Sequence, residues 1–574
     1  MRGAELEAAA RAWLAEDPDR DTRAELEAVL AAGDAEGLAE RFGARLQFGT
    51  AGLRGALGAG PNRMNRALVR RAAAGLAAWL HERHPDRIDA GVVVGFDARH
   101  KSAEFAEDTC RVLAGAGIAS HLLPGPLPTP VLAFGVRHLG SAAGVMVTAS
   151  HNPPMDNGYK VYDWSGAQIV PPTDTEISAA IDAVGPLAGV ALGELDGPLV
   201  HRIGPELRDA YLAAVLQMLP SGEPRATRPV PARPVVVYSA MHGVGGGTVV
   251  DLLDRAGFGR PVPVTEQFEP DPEFPTVAFP NPEEPGAMDL SLATAARAGA
   301  DVVVVNDPDA DRLAVAIPDG SGGWRMLRGD EVGVLLADAV LADPPVVPED
   351  RAGLEPVLAC SLVSSQQLGR MAAAAGMAYE ETLTGFKWIA RVPGPGRRLL
   401  FGYEEALGYC VGDLVGDKDG VSALLAMVRR VAALGGSGTA LADRLDELAR
   451  IHGLHATRQI SFRAAGIDGL ARIADAMRRL RASPPTSVGE RSVERFEDLA
   501  TPTPGRELPP GDVLVLHLEG ARVIVRPSGT EPKLKCYLEV VVPVTGEVAE
   551  ARSRADQALD EVAAAMTALL GLSP

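Results

Sequence analysis

Residues 300–312 read ADVVVVNDPDADR, an unbroken run of Val302, Val303, Val304 and Val305 that passes at once into Asn306, Asp307, Pro308, Asp309, Ala310, Asp311 and Arg312. A valine run without polar alternation predicts a strand buried on both faces, as in a parallel sheet covered by helices. In such sheets the functional loops lie beyond the carboxyl ends of the strands. The same device recurs at Gly91–Phe96 (GVVVGF), Gly144–Thr148 (GVMVT) and Pro234–Tyr238 (PVVVY), each followed by a polar loop. A helical pattern over Ala103–Ala114 follows the first of them, so the chain reads as α/β.

Working outward, Leu6, Trp13, Leu14, Leu26 and Leu30 recur at helical spacing and predict two or three short helices over residues 4–42. Loop-rich stretches at 185–207, 318–324 and 435–439 read as linkers. Beyond about Ile460 the pattern predicts a helix over Ile467–Ala482, strands at Val513–Leu518 and Ala521–Val525, and an amphipathic helix over Val548–Leu569. The expected order is a helical extension (1–44), three α/β domains (45–205, 206–320 and 321–457) and a smaller α+β domain (458–574).

With 574 residues and a formal net charge of −20, the chain is not written for nucleic acid or an anionic membrane surface. An anionic small molecule is still admissible, because a local group of Arg, Lys and a cation can bind phosphate on an acidic protein. Cys110, Cys360, Cys410 and Cys536 have no metal-site spacing and read as free thiols in a reducing compartment. The first residues read as an amphipathic helix rather than a signal peptide, and no apolar run approaches a membrane span, so a cytoplasmic protein is expected.

Four loops carry chemistry. Thr148-Ala149-Ser150-His151-Asn152-Pro153-Pro154 follows a strand, and its stiffened turn can present one serine with backbone amides nearby. Asp307, Asp309 and Asp311 alternate along an extended loop and can converge on one hard cation, with Arg312 beside them to meet a phosphate. Gly402-Tyr403-Glu404-Glu405-Ala406-Leu407-Gly408-Tyr409 offers adjacent carboxylates that can accept from sugar hydroxyls. Arg526-Pro527-Ser528-Gly529-Thr530-Glu531-Pro532-Lys533 places small hydroxyl residues and glycine between two cations, a composition suited to an anion.

Taken in this order, the loops resemble those of the α-D-phosphohexomutase superfamily, in particular its long phosphoglucomutase/phosphomannomutase branch, which also contains phosphopentomutases. Phe48–Gly55 (FGTAGLRG), Gly58–Asn65 (GAGPNRMN), Met241–Gly246 (MHGVGG) and Thr384–Ile389 (TGFKWI) carry the likeness further. The resemblance implies three related α/β domains plus a C-terminal α+β domain around a central cleft. By it, Ser150 carries a phosphoryl group, and Ser150, Asp307, Asp309 and Asp311 hold Mg2+. Arg54, His151 and Lys160 fall around the transferring group. Arg312, Thr384, Gly385, Lys387, Glu404 and Glu405 fall in substrate-binding loops, and Arg526, Ser528, Gly529, Thr530 and Lys533 in the phosphate loop. The chain departs from several relatives at Ala406 and Tyr409, where they carry Ser and His.

The activity so implied is exchange of glucose 1-phosphate and glucose 6-phosphate through a bound hexose 1,6-bisphosphate, with glucose 1,6-bisphosphate as activator. Mannose phosphate and pentose phosphate are the alternative substrates. A serine-dependent sugar phosphatase would use the same nucleophile but has no need of the sugar and phosphate loops, and a non-catalytic sensor has no need of Ser150 or the aspartates. Lys160, Arg54 and His151 are all candidates for handling the hydroxyl proton, and a lysine base needs its pKa lowered.

Overall fold

The valine run forms the strand Val302–Val305 with every residue buried. It pairs in parallel with Val236–Ser239 and antiparallel with Ala314–Pro318. These belong to a five-stranded sheet completed by Val262–Pro263 and Trp324–Met326. The computed structural model describes residues 3–49, 52–219, 233–435, 438–463, 469–501, 508–528 and 533–572. The chain divides into two compact units, one of residues 1–327, 343–353 and 407–438, the other of 328–342, 354–406 and 439–574.

In the first unit a six-stranded sheet runs Leu53–Ala56, Asp156–Asp163, Ala143–Val147, Val92–Phe96, Ser120–Leu122, Val200–Arg202. The last four are parallel and the first two antiparallel. Helices Arg66–Arg83 and Ser102–Gly115 supply Leu76, Leu80, Phe105 and Leu113 to the core against Val92 and Val145. Side chains alternate along a strand, so Tyr159 and Val161 enter this core while Lys160 and Tyr162 face the other way. The antiparallel strand is thus the element that delivers Lys160. Helices Gly3–Glu16, Arg20–Ala31 and Ala35–Phe42 pack through Leu6, Leu26, Leu38 and Phe42 against Ala59, with Asp19 and Asp34 as N-caps.

Two of the expected boundaries can be placed against these elements. Position 320 lies in the turn of a hairpin, where Asp319 Oδ1 accepts from the N–H groups of Ser321 and Gly323 and Ala316 opposes Met326. Position 457 lies within the strand Leu454–Arg463.

In the second unit Glu355–Ser361 runs parallel to both Ala378–Thr382 and Arg397–Glu404. A six-stranded antiparallel sheet follows, in the order Leu454–Arg463, Lys533–Val542, Ala521–Pro527, Leu514–Leu518, Arg491–Asp498, Ser487–Val488. Helices Gly469–Ala482 and Val548–Leu570 cover one face through Ile473, Met477, Leu559, Val562 and Met566. On the other face Leu362 and Val363 pack with Leu499, Val513, Ile524 and Tyr537. All four cysteines are free and buried, and no helix among the described residues is long and apolar enough to cross a membrane.

A buried charge group joins the two sheets of this unit. Glu539 Oε1 accepts from Ser365 Oγ and Gln366 N–H, both at 2.8 Å, and from His455 Nδ1 at 2.9 Å, while Oε2 accepts from Arg522 Nη2 at 3.0 Å. Burial alone raises a carboxyl pKa, but Arg522, His455 and the hydrogen bonds outweigh it and hold Glu539 at about 2, below its ordinary 4.5. A depressed carboxylate stabilises the fold above its unfolded pKa and loses that contribution as pH falls through the folded one. Glu539→Gln should therefore cost about 3 kcal/mol near neutrality, and the gap from the parent protein should narrow between pH 4.5 and 2. Urea unfolding of both proteins at pH 7 and pH 3 checks this; an equal gap at the two pH values refutes it.

Candidate active site

The three aspartates after Val305 converge because their loop folds back on itself. Ala310 is left-handed (φ 55°) and donates its N–H to the Asp307 carbonyl at 2.8 Å. Arg312 N–H donates to Asp307 Oδ1 at 3.0 Å, and Asn306 Nδ2 donates to the Arg312 carbonyl at 2.6 Å. One oxygen from each of Asp307, Asp309 and Asp311 lies within 4.8 Å of the others, all in buried residues.

Burying three carboxylates together is unfavourable unless cations face them. Lys160 Nζ lies 2.8 Å from Asp309 Oδ2 and 3.1 Å from Asp311 Oδ2. Lys418 Nζ lies 3.3 Å from both Asp311 Oδ2 and Asp417 Oδ1. Arg312 Nε is 3.8 Å from Asp311 Oδ1 and 3.9 Å from Asp307 Oδ2. Thr129 Oγ1 donates to Asp309 Oδ2 at 2.7 Å. Burial raises all three carboxyls; Lys160 with Thr129 turns Asp309 below its ordinary range, and Lys160, Lys418 and Arg312 do the same for Asp311. Asp307 stays well above that range, through burial and then through its two neighbours.

Ser150 meets this group directly. Its Oγ donates to Asp307 Oδ2 at 2.7 Å and lies 3.1 Å from His151 Nδ1. The residue is buried and left-handed (φ 52°), with its N–H on Thr148 Oγ1 at 2.9 Å. Burial, then Arg312 and Arg54, press the His151 pKa well below 6.5, so its imidazole is neutral. Arg54 Nη1 donates to Asn152 Oδ1 at 3.2 Å; burial lowers its pKa and Asp309 opposes that, and a guanidinium remains charged throughout. For Lys160, burial acts to lower the pKa but Asp309 and Asp311 prevail and raise it. That direction is the reverse of the lowering that a lysine base needs.

The donor set fits a hard dication. Oxygen alone is offered, Asp309 Oδ1 and Asp311 Oδ1 are buried without a hydrogen-bond partner among the described residues, and Asp307 is short of compensating charge. The residues that would hold Mg2+ are Asp307, Asp309 and Asp311, with Ser150 alongside.

In the second unit the expected sugar loops come together. Gly385, at φ 114°, donates its N–H to Glu404 Oε1 at 2.7 Å, which links Thr384–Lys387 to the glutamate loop. Thr384 Oγ1 is buried with no hydrogen-bond partner among the described residues. Glu405 Oε2 accepts from Ser361 Oγ at 3.1 Å and Ser364 Oγ at 3.4 Å, and its N–H donates to Ser364 Oγ at 3.0 Å. Arg526, Ser528 and Lys533 lie around one hairpin end, where Ser528 N–H donates to the Lys533 carbonyl at 2.8 Å. Gly529 and Thr530 lie outside the described residues.

Sequence reasoning missed Thr129, Asp417 and Lys418 in the first unit and Ser361 and Ser364 in the second. Asp417-Lys418-Asp419-Gly420 did carry a signal, three charges ahead of a helix: Asp419 caps Gly420–Ala433 by accepting from Val421 and Ser422 N–H, which fixes Lys418 one residue before it.

A serine on a carboxylate cluster ringed by cations, in a chain of α/β domains, defines a class of phosphoryl-transfer protein. Models for the phosphoglucomutase/phosphomannomutase family match along the chain: α/β/α domain I at 45–186, domain II at 209–321, domain III at 328–450 and the C-terminal domain at 484–563. A "Probable phosphomannomutase" of Haemophilus influenzae is 43% identical over 485 residues, 83% of this chain and 93% of that protein. The phosphopentomutase of Homo sapiens is 35% identical over 558 residues, 92% of this chain and 90% of its own length. A crystal structure of a phosphoglucomutase/phosphomannomutase family protein from Burkholderia thailandensis shares the fold at a TM-score of 0.66 and 18% identity, covering 92% of this chain and 98% of that one. The chain belongs to the phosphoglucomutase/phosphomannomutase family within the α-D-phosphohexomutase superfamily. It is an enzyme of the mutase type, an intramolecular phosphotransferase.

Calorimetric titration with Mg2+ should give one site per chain. Asp309→Asn should weaken it at least about tenfold, since a neutral amide replaces one of few charged ligands. Equal affinity in the two proteins would exclude the cluster as the metal centre.

Proposed function

We propose that this enzyme interconverts hexose 1-phosphates and 6-phosphates, glucose phosphate first, by storing the phosphoryl group on Ser150. The observation that carries the reading is the 2.7 Å hydrogen bond from Ser150 Oγ to Asp307 Oδ2, which sets a hydroxyl nucleophile against oxygen ligands for a hard cation. When bound, Mg2+ supplies Lewis-acid stabilisation of phosphoryl oxygens.

A sugar hydroxyl oxygen attacks the phosphorus of phospho-Ser150, its bond to phosphorus forms, and the bond from phosphorus to Ser150 Oγ breaks. The proton shed by the sugar hydroxyl is the one that Oγ needs on leaving, and neutral His151 Nδ1, 3.1 Å from Oγ, is able to take it and give it back. The bisphosphate turns over, and its other phosphoryl returns to Oγ by the reverse exchange. Arg54, Lys160 and Arg312 hold fixed positive charge around the transferring group. Glu404, Glu405 and the Thr384–Lys387 loop accept and orient the sugar hydroxyls, while Arg526, Ser528 and Lys533, with Gly529 and Thr530, bind the phosphate that is not moving. Buried free thiols suit a reducing, cytoplasmic setting.

Pentose phosphate is the second reading, favoured by the 35% identity to a phosphopentomutase across 92% of this chain; Ala406 and Tyr409 in the glutamate loop leave the sugar open. Mannose phosphate has the 43% identical relative behind it. Steady-state kinetics with glucose, mannose and ribose 1-phosphates rank the three. In the same assays Ser150→Ala should lose nearly all turnover, and intact-mass measurement should find one phosphoryl group on the parent and none on the variant. Wild-type turnover by the variant would end the phosphoserine mechanism, and release of inorganic phosphate at the rate of sugar consumption would make the protein a phosphatase.

Arg526→Ala tests the phosphate loop separately. Loss of a charge-assisted partner for a phosphate dianion costs about 2 kcal/mol, so the variant should bind substrate weakly and shed sugar bisphosphate. It is then left dephosphorylated until bisphosphate is added. Phosphorus NMR of the released bisphosphate reads this out; normal substrate affinity with no added requirement for bisphosphate would remove the loop from the site.

A further inference from the structure

Arg99 is inserted beneath the Ser150 loop and is only 4% exposed. Its Nη2 donates to the carbonyls of Ser150 and Asn152, both at 2.6 Å, and its Nη1 to those of Pro153 at 2.7 Å and Asp156 at 3.2 Å. Its Nε faces Asp97 Oδ2 at 3.4 Å, and Asp97 Oδ1 in turn accepts from Arg99 N–H and Ser102 Oγ. All four carbonyls come from the single stretch 150–156, which ends at the first residue of the strand Asp156–Asp163, and one of them belongs to Ser150 itself. A planar fork of donors can answer four acceptors at once, which a lysine ammonium cannot.

The guanidinium is covered by Phe274, whose ring centroid lies 4.9 Å from Cζ. Phe274 is buried at φ 46°, a left-handed conformation that a bulky residue adopts only when its surroundings demand it. Its N–H donates to the Asp271 carbonyl, Asp271 N–H donates to the His242 carbonyl, and the His242 ring meets Phe274 edge-on at 6.4 Å. Met241 and His242 are themselves left-handed, at φ 50° and 58°. The same turn supports the aspartate loop: Val244 N–H donates to the Pro308 carbonyl at 2.8 Å, and a Cβ on Gly243 would stand 2.3 Å from Pro308. The Met241–Gly246 turn therefore touches Pro308, between two of the aspartates, and the ring that covers Arg99.

We propose that Arg99, held under Phe274, is a positioning residue for phosphoryl transfer: it fixes the 150–156 backbone so that left-handed Ser150 keeps Oγ on Asp307, and the Met241–Gly246 turn keeps the serine and aspartate loops in one register. The inference rests on Ser150 being the phosphoryl carrier. It deepens that reading by naming what sets the attack geometry.

Arg99→Lys and Phe274→Leu in the full chain test it, with circular dichroism and a thermal melt to establish that each is folded at the assay temperature. A small displacement of a reacting atom is enough to cost about 100-fold, and Arg99→Lys should lose kcat on that scale with KM held within about twofold. Recharging of dephosphorylated Ser150 by added glucose 1,6-bisphosphate, followed by intact mass, should slow by the same factor. Phe274→Leu, which keeps the apolar cover but not the ring, should give about a tenfold loss with the same split. A structural role alone would lower the melting temperature and leave recharging at the parent rate, which overturns the proposal, as does a rise in KM at constant kcat. Should Arg99→Lys fail to fold, Phe274→Leu decides by the same readouts. If the parent itself carries no phosphoryl group on Ser150, the carrier reading fails and takes this inference with it; if the parent is phosphorylated and the folded variants recharge normally, the positioning role alone fails.

Discussion

Three carboxylates buried within reach of one another cannot stand without compensating charge, and the architecture of the first unit answers that requirement. Lys160 arrives on the antiparallel strand Asp156–Asp163, Lys418 from the residue before the cap of Gly420–Ala433, and Arg312 from the aspartate loop itself. Each approaches from a different element, so their positions are fixed by the fold rather than by side-chain reach. Tyr162, two residues from Lys160 on the same face, donates its hydroxyl to Asp417, which also accepts from Gln168 and so anchors the partner of Lys418. With Asp417 included, four carboxylates stand against Arg54, Lys160, Arg312 and Lys418.

Glu539 shows what a structural carboxylate looks like in the same chain. Both of its oxygens are answered, by Arg522, His455, Ser365 and the Gln366 N–H, and its pKa is low. Asp309 and Asp311 are as deeply buried, yet each keeps one oxygen with no hydrogen-bond partner among the described residues, and Asp307 is pushed up rather than down. A buried acceptor left unanswered is costly. Its persistence beside a serine hydroxyl marks a place built for something that binds, whereas the Glu539 group is complete. That group also reaches the glutamate loop, because Arg522 Nη2 donates to the carbonyl of Ser364, whose hydroxyl meets Glu405.

The parallel strands were legible in the sequence because β-branched runs such as Val302–Val305 have no polar face to hide. The serine and aspartate loops, which the structure brings together through Ser150 and Asp307, stand out in the sequence because their compositions do not suit packing. Asp156–Asp163 was not read as a strand, since DNGYKVYD mixes turn formers with charge, and its placement depends on pairing with Ala143–Val147. Lys160 was accordingly reached through resemblance and not through local pattern. The hairpin at 314–326 looked like a linker because Asp319–Gly323 has linker composition, although the Asp319 side chain organises it as a turn. Arg99, Arg522 and Glu539 were invisible for another reason: charged residues are mostly exposed, and only the three-dimensional set of acceptors explains why these are not.

Backbone conformation points to the same place as charge. Seven described residues other than glycine have positive φ: Lys101, Ser150, Met241, His242, Phe274, Ala310 and Leu407. All belong to the first unit. Ser150 and Ala310 lie in the serine and aspartate loops, Met241 and His242 in the turn whose Val244 N–H meets the Pro308 carbonyl, and Phe274 over Arg99. Lys101 follows Arg99 by two residues, and the carbonyl of Leu407 accepts from Leu313 N–H just beyond the aspartates. Each such residue costs on the order of 1–3 kcal/mol and persists only where its neighbours over-determine it. Strain of that kind has no use in a scaffold that merely needs to be stable. It is accounted for if the fold must hold one hydroxyl at a fixed distance from one carboxylate, since geometry set in advance need not be reorganised when the phosphoryl group moves. The hydrogen bond from Ser150 to Asp307 is then what the surrounding distortions, the Arg99 fork and the lysine-compensated carboxylates jointly maintain.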